Sequence, residues 1–436
     1  MNQERQTPLS PPSTPDESCP TIVEPEPMGP NEPADTGSTF AAFRHRNFTL
    51  YWFGNLTSLI GTWMQNIATG WLVLSLTNSA FYVGLNSTLT WLPAWIVSLP
   101  AGALADRYSK RNLMIITQSL LAVSALVLAI LTWTGTITIY HILIIAVITG
   151  FVVNVNAPVT QSFIPELVGH KDVLNAIALN STMFNSARII GPSIAGVLLG
   201  VIGPGGCFGL NSASFIAIIV ALALIRIKRP PRLETGEPMW RRLTSGLRFV
   251  RGHADVRTLI IMVSVFSSVG MVYLPLMPVF ARDVLHGGVR GYGIMMTCIG
   301  IGAVIGGLTL ATISRTRHKG RILIGGTFAL ALLLIGFSFV RLMPLALVVL
   351  VLMGFCQTTI SSLSNTLIQT LAPEQVRGRV MSVFTLAFNG MFPIGSFLAG
   401  TIAQKMGAPA ATFAGGCAVL VSLVAILIYR PQIRSL

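Results

Sequence analysis

Two apolar stretches of this chain carry polar side chains at helical spacing, and these side chains are the first candidates for chemistry. Residues three or four apart share one face of a helix. Amides and hydroxyls on such a face can bind a ligand, although hydrogen bonding between helices explains the same pattern. The first set is Asn55, Ser58, Thr62, Gln65, Asn66 and Thr69, and the second is Gln357, Ser361, Asn365 and Gln369. Further residues extend the predicted binding surface: Asn154, Asn156, Asn389 and the aromatic Trp91.

Arg188 is the one cation deep within an apolar stretch. A lone cation at that depth is costly unless it is hydrated, paired or bound to an anion. Two interpretations stay open: bonding to carbonyls or amides of neighbouring helices, and recognition of anionic or catecholate oxygens, which a planar guanidinium suits. The carboxylates best placed for proton coupling, Asp106 and Asp283, both lie at stretch ends.

Metal and nucleotide chemistry have little support in the sequence. The five cysteines are scattered singly, without metal-ligand spacing, so no metal site is predicted. The chain has no phosphate-binding loop of the type Gly-x-x-x-x-Gly-Lys-Ser/Thr, which excludes a self-contained ATP-driven pump. Neither a cofactor nor enzyme activity is expected.

The elements that must position these residues are membrane-spanning helices. The 436 residues are 52% hydrophobic and only 10% charged, with a mean hydropathy of +0.71, which excludes a soluble globule. Stretches of about 18 or more apolar residues can cross a bilayer. We therefore predict an all-α membrane protein with twelve transmembrane helices in two six-helix halves. The predicted spans are 48–76, 80–104, 113–133, 139–165, 175–202, 205–226, 257–281, 292–313, 322–340, 343–371, 376–404 and 408–429.

The net charge of +14 reflects membrane topology rather than binding of nucleic acid. Lys and Arg concentrate in alternate loops, around 107–111, 226–257 and 315–321, whereas the connections 77–79 and 134–136 carry no charge. By the positive-inside rule, both termini are predicted to be cytoplasmic.

The chain divides into four predicted segments. Residues 1–39, rich in proline and acids, are expected to form a disordered cytoplasmic tail. Residues 40–226 and 257–436 are the two halves, because a pattern of Phe-Asn, Gly and Ala-Gly in the fifth span recurs in the eleventh. Residues 227–256 form a cytoplasmic connector, whose apolar and basic residues alternate as in an amphipathic helix on the membrane surface.

The segment from Gly102 to Arg111, Gly-Ala-Leu-Ala-Asp-Arg-Tyr-Ser-Lys-Arg, resembles the signature loop of the major facilitator superfamily. Ser109 departs from the pattern, since the family usually has Gly there. The resemblance implies a conformational latch whose contacts exist in only one of two arrangements of the halves, and an ordinary basic loop is the alternative. The residues of this predicted latch are Gly102, Asp106, Arg107, Lys110 and Arg111.

The fifth span resembles the Gly-Pro motif of exporters in this superfamily, which implies a gating role for Arg188, Gly191, Pro192 and Gly196. Residues 276–283 and 373–382 resemble the branch that includes the enterobactin exporter and bacterial macrolide efflux proteins.

The resemblance implies a secondary-active exporter of a siderophore-like or drug-like amphiphile, working by alternating access, with proton antiport as the family's coupling. It also implies a monomer in the bacterial inner membrane, whose partners are a small-molecule substrate and the lipid bilayer, with no nucleic acid. Efflux of nickel or cobalt is the main alternative, and a non-transporting membrane scaffold or sensor is the other.

Overall fold

The computed structural model describes residues 40–97, 108–169, 171–225, 239–313 and 318–435. All regular structure in these ranges is helical. The predicted tail 1–39 and residues 227–238 of the connector lie outside the described residues.

The described ranges contain a succession of α-helices. In chain order they are α1 (Arg46–Thr77), α2 (Ala80–Trp91), α3 (Lys110–Trp133), α4 (Ile139–Val168), α5 (Val173–Val201), α6 (Gly203–Leu224), α7 (Met239–Gly252), α8 (Ala254–Val265), α9 (Tyr273–Val279), α10 (Gly288–Ile313), α11 (Lys319–Phe339), α12 (Met343–Leu371), α13 (Glu374–Met406) and α14 (Ala408–Tyr429).

Helix boundaries follow residues that stop or start a helix. α1 ends at Asn78, whose φ of 49° is the left-handed conformation common after helix C-termini. α13 ends at Gly407, whose φ of 88° is a backbone conformation that glycine adopts without steric strain. Pro204, Pro344 and Pro409 stand in the first turns of α6, α12 and α14, where the missing N–H has no helical partner to lose.

Within the described ranges, 10 helical stretches are long and apolar enough to cross a membrane. They are α3 to α6 and α10 to α14, together with Ala254–Val284, which contains both α8 and α9. α1 has the length of a span, 32 residues, but its polar stripe makes it less apolar than these. α2 is helical over Ala80–Trp91, and residues 98–104 of the predicted second span lie outside the described part.

The stretch Ala254–Val284 is a broken helix. α8 gives way to a π-helical turn at Phe266–Gly270, and α9 gives way to another at Phe280–Val284. Such turns loosen the regular backbone ladder and are frequent at functional sites. Tyr273 begins α9 directly after the first turn, and Arg282 lies in the second.

The helices form two sets, α1 to α6 and α8 to α14. In the first set, α6 lies along α1 and α3, and α2 lies along α4; in the second, α12 lies along α10, and α14 along α11. Helix α7, which lies within the predicted connector 227–256, packs along α13. Two pairs of helices make the main contacts between the sets: α2 with α13, and α5 with α10.

These two joining pairs meet at glycines. A Cβ added to Gly84 of α2 would lie 2.7 Å from Cα of Gly400 in α13. One added to Gly293 of α10 would lie 2.8 Å from the backbone N of Gly196 in α5. Glycines at these points let the helix backbones touch. This end of the molecule also carries the α1–α2 turn at Asn78, and we call it the closed end.

From this contact, α5 and α10 continue toward the other end of the molecule. The hydroxyls of Ser193 in α5 and Thr297 in α10 are 2.9 Å apart. Three turns further along the same faces, Thr182 and Leu308 are exposed. We call this the open end; it carries the start of α3 at Lys110.

Gly293→Ala tests the close approach of α5 and α10. The added methyl group would meet the backbone of α5, so we expect the conformational balance to shift toward separation at the closed end. A cysteine placed at Thr297 should then react at least several-fold faster with a water-soluble maleimide, measured at that site by mass spectrometry. Gly200→Ala is the matched control, because a methyl group there meets nothing within 4 Å. Equal rates in the two variants would contradict the gating role of this contact.

Candidate functional site

Arg188, Tyr273 and Gln357 form a polar cluster that draws on both helix sets, and we call it the central cluster. The hydroxyl of Tyr273 donates a hydrogen bond to Oε1 of Gln357, at 2.6 Å. The guanidinium of Arg188 interacts electrostatically with the same phenol. Tyr273 is fully buried and Gln357 nearly so, whereas Arg188 is half-buried. Gly300 of α10 lies beside the carbonyl of Arg188, so the cluster sits at a close contact between α5 and α10.

Arg188 has no acidic partner among the residues that the structure describes, where the ion pairs are His45–Asp172, Lys110–Glu166 and Arg282–Asp283. Within that part of the chain, Arg188 interacts electrostatically with the phenol of Tyr273. A half-buried guanidinium of this kind can bind carboxylate or catecholate oxygens through charge-assisted hydrogen bonds. The surroundings of Arg188 therefore agree with both interpretations, bonding to neighbouring helices and recognition of anionic oxygens.

Two amides of α1, the buried Asn55 and the half-buried Gln65, serve helix packing. Asn55 donates a hydrogen bond to the hydroxyl of Tyr51, at 3.1 Å, and its amide nitrogen lies 3.8 Å from the sulfur of Met183 in α5. Gln65 accepts a hydrogen bond from the amide of Asn211 in α6, at 2.6 Å. Lipid cannot supply such bonds, so these amides hold α1 against its neighbours.

Asn66 differs from the rest of the α1 stripe, because its side chain is exposed. It lies one turn before Gly70, where an added Cβ would be 3.0 Å from the hydroxyl of Tyr292 in the second set. Asn66 therefore occupies the face of α1 that is directed toward α10.

Three predicted binding amides are half-buried and partly used. Asn154 donates to the carbonyl of Gly150 in its own helix, at 2.8 Å, and Asn156 accepts from Thr117 of α3, at 3.0 Å. Asn365 accepts a hydrogen bond from Gln369, one turn along α12. None of these hydrogen bonds links the three residues to the central cluster.

Trp91 and Asn389 lie near the contact between α2 and α13. Trp91 is 37% exposed, and its ring packs edge-on against Phe392, with centroids 6.0 Å apart. Asn389 is half-buried, and the next residue, Gly390, accepts a hydrogen bond from the indole of Trp95, at 2.7 Å. The ring of Trp91 and the amide of Asn389 therefore both remain partly exposed beside a contact between the two sets.

The Gly-Pro motif lies at the contacts of α5 with both sets. Gly191 packs against α1, where an added Cβ would be 2.9 Å from the carbonyl oxygen of Ile60. Pro192 is buried, and its carbonyl oxygen faces Gly293 of α10. Gly196 makes the closest approach of α5 to α10. The motif therefore lies at contacts within and between the helix sets, and its gating role stays a prediction.

Arg282 bridges the two sets at the closed end, and we call its contacts the Arg282 clamp. Its Nη2 donates to Oδ1 of Asn78, at 2.6 Å, and its Nη1 donates to the carbonyl of Leu74, at 3.3 Å. Its Nε also donates to the carboxylate of Asp283, at 2.6 Å. A cation at the C-terminus of α1 is favoured by the helix dipole and by the free carbonyls there.

A second polar contact reinforces this end. Oε1 of Gln404 in α13 accepts a hydrogen bond from the hydroxyl of Ser79, at 2.7 Å, and another from the backbone N–H of Phe81, at 3.3 Å. The sequence pattern did not single out Arg282, Asn78 or Gln404 as contacts between the sets. Arg282 alone could have drawn attention, because it is a cation on the side of the membrane whose connections carry few Lys and Arg.

The described part of the predicted latch makes contacts within the first set. Lys110 forms an ion pair with Glu166 at the end of α4, at 2.5 Å. Arg111 donates to the carbonyls of Leu222 and Ala223, at 2.6 and 2.7 Å, and so caps the C-terminus of α6. These contacts brace three helices of one set without joining the two sets. The remaining latch residues, Gly102, Asp106 and Arg107, lie outside the described residues.

Three relatives match nearly the whole chain. The staphyloferrin A transporter of Staphylococcus aureus is 28% identical over 363 residues, which is 82% of this chain and 90% of that protein. The multidrug efflux pump Tap of Mycolicibacterium fortuitum is 26% identical over 396 residues, or 88% and 95% of the two chains. The enterobactin exporter EntS of Escherichia coli is 24% identical over 391 residues, or 89% and 93%.

Solved structures of transporters share the fold. The nucleoside transporter NupG aligns with a TM-score of 0.70 over 88% of this chain and 98% of that one, at 12% identity. A bacterial homolog of the lysosomal transporter Spinster, in an inward-facing and unoccupied conformation, aligns with a TM-score of 0.66 at 14% identity, over 89% of this chain and 96% of that one. Likeness at such identities concerns the fold alone.

The sequence profile described as transmembrane secretion effector matches residues 37–435. Together with the membrane-length helices, this match identifies a multi-pass membrane protein of a transporter family, and it confirms the prediction that the chain is not an enzyme. The resemblance drawn from the signature loop and the Gly-Pro motif is likewise confirmed: the chain belongs to the transmembrane secretion effector family, within the major facilitator superfamily.

Proposed function

We propose that this protein is a secondary-active exporter that moves a siderophore-like or drug-like amphiphile out of the cytoplasm by alternating access. In this proposal, twelve spans form two six-helix halves, residues 40–226 and 257–436, which rock about a central site. The tail 1–39 and the connector 227–256 face the cytoplasm, and the protein lies in the bacterial inner membrane. The named relatives support the class, since they include siderophore transporters and a multidrug efflux pump.

One observation carries the proposal: the two joining helix pairs touch through glycines at the closed end, whereas Thr182 of α5 and Leu308 of α10 are exposed toward the open end. The open end bears Lys110 and Arg111, so the positive-inside rule assigns it to the cytoplasm. An arrangement closed to the outside and open to the cytoplasm is the one in which an exporter accepts its substrate. The Arg282 clamp and the glycine contacts would then have to release before the substrate leaves.

The central cluster supports an anionic or catecholate group on the substrate. Arg188 provides a cation without an acidic partner in the described residues, at a close contact between α5 and α10. Asn66, Trp91 and Asn389 provide amide and aromatic surface on other helices. An amphiphile with several oxygens matches this combination better than a small ion does.

Efflux of nickel or cobalt remains the alternative substrate class. Such an exporter would use His, Cys or carboxylate ligands along its path. No group of 3 or more such side chains capable of holding a metal occurs in the part of the chain that the structure describes. The geometry therefore favours the organic substrate.

Substitution of Arg188 tests the proposed substrate class. We expect Arg188→Gln to weaken binding of anionic ligands at least about tenfold, because hydrogen bonds to charged groups contribute about 1.5–3 kcal/mol. Arg188→Lys should weaken binding less, since it keeps the charge and loses the planar fork. Affinities for staphyloferrin A, enterobactin and the cation ethidium can be measured by tryptophan fluorescence on purified, monodisperse protein.

The control for this experiment is Arg290→Gln, which removes an exposed cation near the closed end. It should leave the affinity for all three ligands unchanged. If the Lys and Gln variants at Arg188 bind anionic ligands as the wild type does but give a lower folded yield, Arg188 ties helices together and recognises no substrate.

Substitution of Arg282 tests whether the clamp keeps the closed end shut, and the neighbouring Asp283 is a candidate for carrying the coupled proton. Arg282→Gln removes the charge that holds α1 to the second set, so alkylation of a cysteine at Thr297 should accelerate several-fold.

Asp283→Asn tests proton coupling, because it keeps the bonds from Arg282 to α1 available. If Asp283 carries the coupled proton, this variant should continue downhill export in proteoliposomes while substrate-driven proton movement is lost. Undiminished proton movement would remove Asp283 from the coupling mechanism and leave Asp106 as the candidate.

The latch remains a prediction from the signature loop. Asp106→Asn should leave expression and membrane insertion nearly intact but slow export at least several-fold, since one conformer loses a charge-assisted contact. Cysteine accessibility from both sides of the membrane should shift in the same variant. Wild-type export with unchanged accessibility would reduce this loop to a determinant of topology.

A further inference from the structure

A cleft of about 350 Å³ lies between α10, α11 and α12. Its walls include Leu310 of α10, Ile322 and Ala329 of α11, and Phe355 of α12. Nothing in the proposed export mechanism uses this cleft.

The lining of the cleft is apolar in effect. The hydroxyl of Thr309 donates to the carbonyl of Ile305, at 2.8 Å, and the hydroxyl of Thr359 donates to the carbonyl of Phe355, at 2.9 Å. Both threonines therefore spend their hydrogen-bond donors within their own helices. An apolar cavity of only about 150 Å³ already stays dry and takes up small apolar molecules, so water is a poor occupant here.

Two adjacent glycines of α11 create the space. A Cβ added to Gly325 would meet nothing within 4 Å, and one added to Gly326 would come no closer than 3.6 Å to Ile360. Gly325 is exposed on the same face of α11 as Phe328 and Leu332, which are 47% and 48% exposed. The cleft thus continues the outward, lipid-facing surface of a membrane-length helix.

Cations stand at the mouth of the cleft. Arg321 is exposed one helical turn before Gly325 on the same face, about 6 Å along the axis, and Lys319 begins the helix. Neither forms an ion pair with an acidic side chain in the described ranges. A negative group next to an apolar chain matches this arrangement of charge and groove.

We propose that the cleft binds one anionic phospholipid of the leaflet at the open end. An acyl chain lies over Gly325 and Gly326, and the phosphate contacts Arg321 and Lys319. The bound chain supports α12 at Cys356, which borders the cleft, while the next residue, Gln357, holds Tyr273 of the central cluster. Lipid occupancy thereby stabilises the helix position on which the central cluster depends.

The test uses the full chain in lipid nanodiscs with photoactivatable lipids. Phosphatidylglycerol, phosphatidylcholine and a free fatty acid each carry one diazirine in the acyl chain, and mass spectrometry locates the adducts. We expect phosphatidylglycerol to label Leu310 and Phe355 preferentially. Gly325→Leu, which fills the cleft, should lower that labelling several-fold. Gly336→Leu should not, although Gly336 lies three turns further on the same exposed face and is equally free of neighbours.

A second pair of variants tests the headgroup. Arg321→Gln should remove the advantage of phosphatidylglycerol over phosphatidylcholine while labelling by both continues, and Arg290→Gln should change neither. Adducts spread evenly over the lipid-facing helices, with no effect of Gly325→Leu, would overturn the proposal. Labelling by the free fatty acid alone would also overturn it, in favour of a site for a small single-chain amphiphile.

Discussion

A lipid bilayer offers no hydrogen bonds, and this constraint determines where the polar groups of the protein lie. Hydroxyls in the spans turn back to their own helix, as Thr327 does to the carbonyl of Leu323, at 2.8 Å. Amides find partners on a neighbouring helix, as Gln65 and Asn211 do. Some polar side chains have no such partner within the described ranges and stay exposed or half-buried, such as Asn66 and Arg188. These side chains are available to bind a substrate.

The same constraint makes the contacts between the two helix sets depend on shape. Without a hydrophobic driving force between helices in lipid, close packing and a few polar bonds must hold the closed end. Glycines provide the packing at both crossings, Gly84 with Gly400 and Gly196 with Gly293. Gly196 and Gly400 occupy equivalent positions of the internal repeat, so the two crossings have a common sequence origin. A contact of this kind can be released without exposing buried charge, which suits a gate.

Two arginines illustrate how surroundings divide one residue type between roles. Arg282 has its donors occupied by Asp283, Asn78 and the carbonyl of Leu74, so it acts as a fastener between sets. Arg188 has no such acid or carbonyl partner in the part of the chain that the structure describes, and its principal neighbour is the neutral phenol of Tyr273. The broken helix Ala254–Val284 carries both Tyr273, which follows its first π-helical turn, and Arg282, which lies in its second.

The sequence by itself determined the class of the protein, because long apolar stretches admit only membrane helices and the signature residues from Gly102 to Arg111 are specific for the superfamily. It also identified Arg188 and the Gly-Pro motif as exceptional. It could not tell which amides pack helices: Asn55 and Asn66 share one stripe, yet one is buried and the other exposed. It missed the Arg282 clamp entirely, since Asn78, Arg282 and Gln404 are far apart in the chain. Helical periodicity defines the faces of a single helix, whereas the partner of each face is decided by packing between helices, which only the tertiary structure contains.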